Sequence, residues 1–228
     1  MRIDLYNGVE KKTGRTAEDT DALRPGDFRL SYLLVPLRRD GYILWKQTGQ
    51  GLSVFRSFVP AGESSLAAAL LEARSLLGAQ VEVSALRLLS HQTDREEGLI
   101  QDVYLAFAGQ DVPAPEQGRW LFPEDILGDP SLLSALNRER FYQAHKDMLS
   151  RLSGEMRVPR GVYASWQGER LTVLGVAVQT VTSLPLVICQ LHGGDHGLLA
   201  VPLNRWLQPV RSAEGLLTRY LYLPEENG

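Results

Sequence analysis

Between Ser64 and Gly78 the apolar positions fall at Leu66, Ala69, Leu70, Ala73, Leu76 and Leu77, the three-and-four spacing of a single helix face. Ser64 or Ser65 stands where a hydroxyl can accept from the orphan amides of a first turn. Gly78 stands where a chain leaving a helix favours positive φ. Around this helix the pattern is that of strands. Asp4-Leu-Tyr-Asn-Gly-Val-Glu-Lys-Lys-Thr-Gly reads as two strands about an Asn-Gly turn, Arg24-Pro-Gly-Asp27 as a turn, and Phe28 to Leu37 as an apolar strand fit for burial. Asp40-Gly41 turns the chain into Tyr42-Ile-Leu-Trp-Lys46. Beyond the helix, Val81 to His91 and Leu99 to Ala108 pair about the charged tip Thr93-Asp-Arg-Glu-Glu-Gly98. Gly118 to Phe122 is a last strand, and Pro123-Glu-Asp-Ile126 opens a helix with proline in its first turn.

The next stretch changes period. From Ser131 to Ser153, Leu132, Leu133, Leu136, Phe141, Ala144, Met148, Leu149 and Leu152 share one stripe, while Arg138, Glu139, Lys146, Asp147 and Arg151 face elsewhere. A stripe this wide predicts a helix that fills a core, a homodimer surface being the other use for it; Ser153-Gly154 ends it. From Arg160 the chain is β-rich: Gly161 to Ala177 reads as two strands about a Gln-Gly turn, Leu184 to Leu191 as a third, Leu198 to Leu203 as a fourth and Arg219 to Leu223 as a fifth. Short strands at this spacing predict a small barrel-like domain. The expected class is α+β, with a first domain over 1–130, a connecting amphipathic helix over 131–154 and a small β-rich domain over 155–228.

Composition narrows the setting. Of 228 residues 44% are hydrophobic and the formal net charge is −3, so there is no overall cationic character to drive non-specific nucleic-acid binding. A single cysteine, Cys189, excludes a disulfide framework. No run approaches the ~20 apolar residues of a membrane span, and no signal-peptide core follows Met1. The expectation is a cytoplasmic protein without a membrane partner.

The stretch from Ser57 to Ala79 resembles the Nudix box, Gly-x5-Glu-x7-Arg-Glu-U-x-Glu-Glu-x-Gly-U, where U is a bulky apolar residue. Glu63, Glu72 and Gly78 match. Ser57 takes the place of the first glycine, Leu71 that of the arginine, Ser75 and Leu76 those of the last two glutamates, and Ala73 and Ala79 those of U. The order of elements around the box, ending in Trp120 and Pro123-Glu-Asp-Ile126, is similar to a Nudix domain over about residues 1–130 and implies a mixed sheet sandwiched by helices. In that family glutamates at i, i+3 and i+4 of the helix hold Mg²⁺, which polarises a pyrophosphate and helps activate water. The resemblance therefore implies Glu72 as the surviving metal and catalytic position, with Glu63 or the Glu96–Glu97 loop as substitutes. From Gly161 to Trp206, Gly-x-Tyr, Gly-x-x-Leu-x-Val-Leu-Gly-x-Ala and Pro-Leu-x-x-Trp resemble a small bacterial domain family of uncharacterised function. Where that family carries an arginine before the proline, this chain has Val201.

Two other groupings have residue types that carry chemistry. His192-Gly-Gly-Asp-His196 could converge on a metal only if its turn folded inward, and otherwise reads as a turn between strands. Tyr163, Trp166, Trp206, Tyr220 and Tyr222, with Arg160, Arg170, Arg205, Arg211 and Arg219, would suit a nucleic-acid groove if they shared a face, and otherwise fill a core. The sequence thus points to a Nudix-fold protein that binds a nucleotide-like ligand or nucleic acid without ordinary hydrolase activity. An active Mg²⁺-dependent hydrolase of nucleoside-diphosphate derivatives and a structural or interaction protein are the alternatives.

Overall fold

The apolar strands on either side of the Ser64 helix pair directly with each other, and the first of two units is built on that pairing. In the computed structural model, which describes residues 1–134, 143–194, 196–213 and 215–224, this unit comprises Met1–Arg39 and Ile43–Leu121. Its elements are β1 (Arg2–Tyr6), β2 (Lys12–Glu18), β3 (Phe28–Arg38), β4 (Ile43–Thr48), β5 (Gly51–Ser53), β6 (Phe55–Phe58), α1 (Ser65–Leu77), β7 (Leu86–Asp94), β8 (Leu99–Ala108) and β9 (Gly118–Leu121). β3 runs parallel to β8 in unbroken register from Arg29↔Leu99 to Arg38↔Ala108. Its other edge is shared by β1, β6 and β4 in turn, all antiparallel. β7 extends the sheet beyond β8, β2 beyond β1, and β5 and β9 flank β4.

A parallel pair cannot be joined by a hairpin, and the crossover here carries α1. β3 is buried continuously from Ser31 to Leu37, as suits a strand covered on both faces. α1 lays Ala68, Ala69, Ala73 and Leu77 against Leu34, Tyr104, Ala106 and Ala108, with Leu66, Leu70 and Leu76 packed around the edge of the cluster. Ser64 caps the helix by accepting from the Ala67 amide at 3.2 Å, and Gly78 leaves it at φ +110. The loop before α1 is anchored on β1: the Gly62 amide donates to the Asp4 carboxylate at 2.9 Å and the Ala61 amide to the Arg2 carbonyl at 3.0 Å.

Two local expectations change. The Asn-Gly signal suggests a tight two-residue turn, but β1 and β2 are joined by a longer loop. In it the Asn7 side chain accepts from the Val9 and Lys11 amides, and Glu10 sits at φ 61. Side-chain capping by Asn7 has replaced the hairpin turn. The strand expected from Val81 begins at Leu86, because Val81 drops into the core under α1 and Val83–Ala85 form a 3₁₀ turn.

The second unit comprises Asp40–Tyr42 and Phe122–Gly228. Its elements are α2 (Pro123–Gly128), α3 (Gln143–Arg157), β10 (Gly161–Ser165), β11 (Arg170–Val178), β12 (Pro185–Leu191), β13 (Leu198–Pro202), α4 (Leu203–Leu207), the hairpin β14–β15 (Val210–Ser212 and Gly215–Leu217) and β16 (Tyr220–Tyr222). The five expected strands form one antiparallel sheet in the order β13-β12-β11-β10-β16. That sheet is open, since among the described residues no pairing joins β13 to β16, so the barrel expected from strand spacing does not close. Val158, Tyr163, Leu171, Val173, Val187, Cys189, Leu203 and Trp206 form its core.

The connecting helix also differs from expectation. Pro130–Leu132 is a 3₁₀ turn capped by the Asp129 carboxylate, α3 begins at Gln143, and Leu136, Arg138, Glu139 and Phe141 lie outside the described residues. Gly154 does not end the helix, which continues to Arg157. A Cβ at Gly154 would lie 2.8 Å from Cγ1 of Val176 on β11, so the glycine serves close packing rather than termination. No described helix is long and apolar enough to cross a membrane.

Gly154→Ala separates these two roles by sign. Helix propensity alone would make it stabilising by about 1 kcal/mol. Overpacking against a β-branched neighbour makes it destabilising by about 1–3 kcal/mol, and the urea midpoint of the variant should fall. A raised midpoint would show that the contact carries no constraint.

Candidate functional site

Four adjacent strands of the first unit each place one polar residue at the same level. The registers pair Ser57 of β6 with Tyr32 of β3, Tyr32 with Asp102 of β8, and Asp102 with His91 of β7. Directly paired residues project from the same face of a sheet, and this is the face that α1 covers. Two residues of α1, about 10 Å apart along its axis, reach down to the row. Ser65 donates to the Asp102 carboxylate and lies 3.0 Å from the Tyr104 hydroxyl. Glu72 accepts a 2.7 Å hydrogen bond from the Tyr32 hydroxyl.

Asp102 is a buried carboxylate and the one charged residue of β8, a placement that is costly without partners. Ser65 occupies one of its oxygens, and Nδ1 of His91 approaches the other at 2.5 Å. The second ring nitrogen of His91 lies 2.8 Å from the Glu10 carboxylate, which also accepts from the Thr93 hydroxyl. A neutral imidazole has one N–H, so both contacts are good hydrogen bonds only for the doubly protonated ring. The Asp102 and then the Glu10 contact accordingly raise the His91 pKa above its ordinary value, and the Thr93 and then the His91 contact hold Glu10 below the usual carboxylate range. At the other end of the row, burial first and the Glu72 hydrogen bond second push the Tyr32 phenol up; Glu63 acts in the same direction.

Serine, aspartate and histidine here stand in the wrong order for nucleophilic catalysis. Ser65 donates to Asp102 rather than to His91, so the imidazole is not placed to take its proton. The row is a satisfied polar network linking α1, the central strands and the β1–β2 loop.

The positions expected to hold Mg²⁺ take other roles. Glu72 is tied to Tyr32, Ser75 is exposed, and Leu76 packs against the core cluster under α1. Leu71, at the arginine position of the box, is 68% exposed. Glu63 is exposed in the loop before α1, where it and Glu72 bear on the same phenol. Glu96 and Glu97 form the tip between β7 and β8, their amides capped by Asp94 at 3.0 and 3.1 Å. The strand pair ending at Asp94↔Leu99 lies three register steps, about 10 Å, from His91↔Asp102. Among the described residues no group of three or more His, Cys, Asp or Glu is placed to hold a metal ion.

In the second unit His192 meets the Thr172 hydroxyl at 2.7 Å and His196 the Leu191 carbonyl at 3.3 Å, while Asp195 lies outside the described residues. The aromatic residues pack on one another: Trp206 stacks on Tyr220 at 3.9 Å between ring centroids, and Tyr163 meets Trp206 edge-on and Tyr222 at a tilt. Tyr163 and Trp206 are core residues; Trp166 is exposed.

Nothing in the sequence pattern groups Tyr32, Asp102, His91, Ser65 and Glu10 together. Only Asp102 carried a signal, as a lone charge in the middle of an apolar strand.

No protein-family model matches this chain, and no curated protein matches its sequence. Among solved structures it is similar to a protein of Deinococcus radiodurans (23% identity over 59% of this chain and 91% of that one, TM-score 0.47). It is also similar to a MutT/nudix family protein from Enterococcus faecalis (19% identity, 46% of each chain, TM-score 0.34). A protein belonging to DUF1653 from Bordetella bronchiseptica is similar at 24% identity over 29% of this chain and 87% of that one, TM-score 0.28.

The His91 clamp gives a signed pH dependence. Its folded pKa is raised from 6.5, so its stabilisation is full below that value and is lost as pH rises through the folded pKa. Glu10 is lowered from 4.5, so its share is present above that value and is lost as pH falls through its folded pKa. Urea midpoints measured from pH 4 to 9 should therefore decline on the alkaline side in the natural chain, and His91→Gln should remove that part of the decline. Identical profiles for the two proteins would show that the clamp does not contribute.

Proposed function

We propose that the first unit is a Nudix-type scaffold that binds a nucleotide-like ligand without ordinary metal-dependent hydrolysis. The observation that supports this reading is the use of the box residues: Leu76 packs into the core and Glu72, the retained glutamate of the helix, holds the hydroxyl of the buried Tyr32. A metal-dependent attack on a pyrophosphate needs carboxylates free to hold the ion and offset phosphate charge. Removing one electrostatic contact of that kind costs about 10²–10³-fold in rate, and two carboxylate positions are filled here by Ser75 and Leu76.

In this reading the loop-helix scaffold remains as structure. Tyr32 and Glu72 fix the middle of α1, Ser65 and Asp102 fix its start, and the Asp4 carboxylate holds the loop before it. What this region offers a ligand is hydrogen-bonding groups on a rigid support rather than a metal-activated water.

Phosphate release should be followed over a panel of nucleoside-diphosphate derivatives with Mg²⁺ or Mn²⁺, beside calorimetric binding of the same compounds. The expected outcome is measurable binding with no turnover above a Glu72→Gln control. Metal-dependent turnover abolished by Glu72→Gln would overturn the reading.

A further inference from the structure

A cavity of about 500 Å³ opens in the first unit along β2, lined among others by Arg2, Arg15, Arg24, Asp21, Asp27 and Leu23. It shares no lining residue with the polar row under α1. Its shape depends on the turn Arg24-Pro25-Gly26-Asp27, closed by a 3.0 Å hydrogen bond from the Asp27 amide to the Arg24 carbonyl. Proline in the second place and Gly26 at φ +84 in the third make this a type II turn. The turn leaves Arg24 exposed and carries Asp27 inward, where it is 7% exposed.

Each charged group of the lining has a distinct state. Both terminal nitrogens of Arg15 donate to the two oxygens of Asp27, one of them at 3.0 Å, a fork-to-fork pair that fixes the guanidinium. Asp21 accepts from the Glu18 amide at 2.9 Å, and its carbonyl accepts from Arg29. Arg2 donates through Nε to the Thr16 hydroxyl at 2.7 Å, which leaves the outer end of its guanidinium for other partners. Arg24 makes no side-chain hydrogen bond or ion pair to any described residue. Three arginines against two aspartates leave the lining with a net charge of +1. The positive groups with donors to spare are Arg24 and Arg2, while Asp27 is neutralised by Arg15.

We propose that this cavity is a binding site for an organic phosphate of nucleotide size, with the phosphate between Arg24 and Arg2 and the organic part over the apolar lining. Its volume falls in the ordinary range for small-molecule sites, roughly 300–1,000 Å³. Arginine is suited to phosphate because its planar fork offers paired N–H donors at the spacing of two phosphate oxygens. The Arg15–Asp27 pair acts as a rigid wall that keeps the aspartate from repelling the anion. This site is separate from the reading of the Glu72 region above and does not depend on it.

The test is isothermal titration of the full chain with ADP and, separately, with inorganic phosphate at low ionic strength. ADP should bind saturably, more tightly than phosphate, and more weakly as salt is added. Arg24→Ala and Arg2→Ala should each weaken ADP binding by about tenfold, the size of one charge-assisted hydrogen bond. Arg95→Ala, on the tip between β7 and β8, should leave it unchanged. Arg24 is an exposed turn residue, so its variant keeps the fold, which circular dichroism verifies. Absence of saturable ADP binding, or binding indifferent to Arg24→Ala, would overturn the site. Loss in Glu72→Gln with retention in Arg24→Ala would place the ligand at the α1 region instead, overturning this inference while sparing the previous one. Equal affinity for phosphate and ADP would remove the organic part of the proposal.

Discussion

The parallel pairing of β3 with β8 is the constraint from which the rest of the first unit follows. It forbids a tight connection, so the chain between the two strands must cross over the sheet, and α1 is the element that lies on the covered face. The same register sets Tyr32 beside Asp102, and the antiparallel neighbours then bring Ser57 and His91 into line. The polar row is thus a consequence of strand registry rather than of any local motif. Sliding β8 by one residue would turn Asp102 to the opposite face and bring Gln101 or Val103 beneath Ser65 in its place.

That geometry also holds the segment from Ser57 to Ala79 at three points. The loop is held by Asp4, the helix start by Ser65 on Asp102, and the helix middle by Glu72 on Tyr32. None of these contacts requires a metal ion. With the scaffold secured by protein groups alone, the positions of Ser75 and Leu76 are free to serve solvent and core respectively.

How much of this was legible in the sequence depended on whether the deciding contact was local. The ends of α1 were readable because Ser64 and Gly78 act within one turn of themselves, and Phe28–Arg38 and Leu99–Ala108 were readable because burial on both faces leaves long, mostly apolar runs. The glycine at 154 misled because its reason lies across space, in Val176, and a helix stop and a packing contact ask for the same residue. The closure of the second unit's sheet was not readable either, since strand count does not determine whether the edges meet. Of the site, Glu72 and Glu63 were found by frame and Glu96 and Glu97 by loop position. The network that engages Glu72 joins residues 32, 57, 65, 91 and 102, whose proximity depends on nonlocal pairing.

Ala69 and Ala73 are fully buried between α1 and the sheet. Having only a methyl group each, they set the height at which the helix rides. Ser65 and Glu72 touch down at points two turns apart on different strands, with Ala69 between them and Ala73 next to the second. A bulkier residue at either alanine would have to raise the helix, and a rigid rod cannot rise there while both contacts stay bonded. The alanines are spacers that hold two separated contacts to one tolerance, so a change in core volume at either would be felt in the polar row without touching a polar atom.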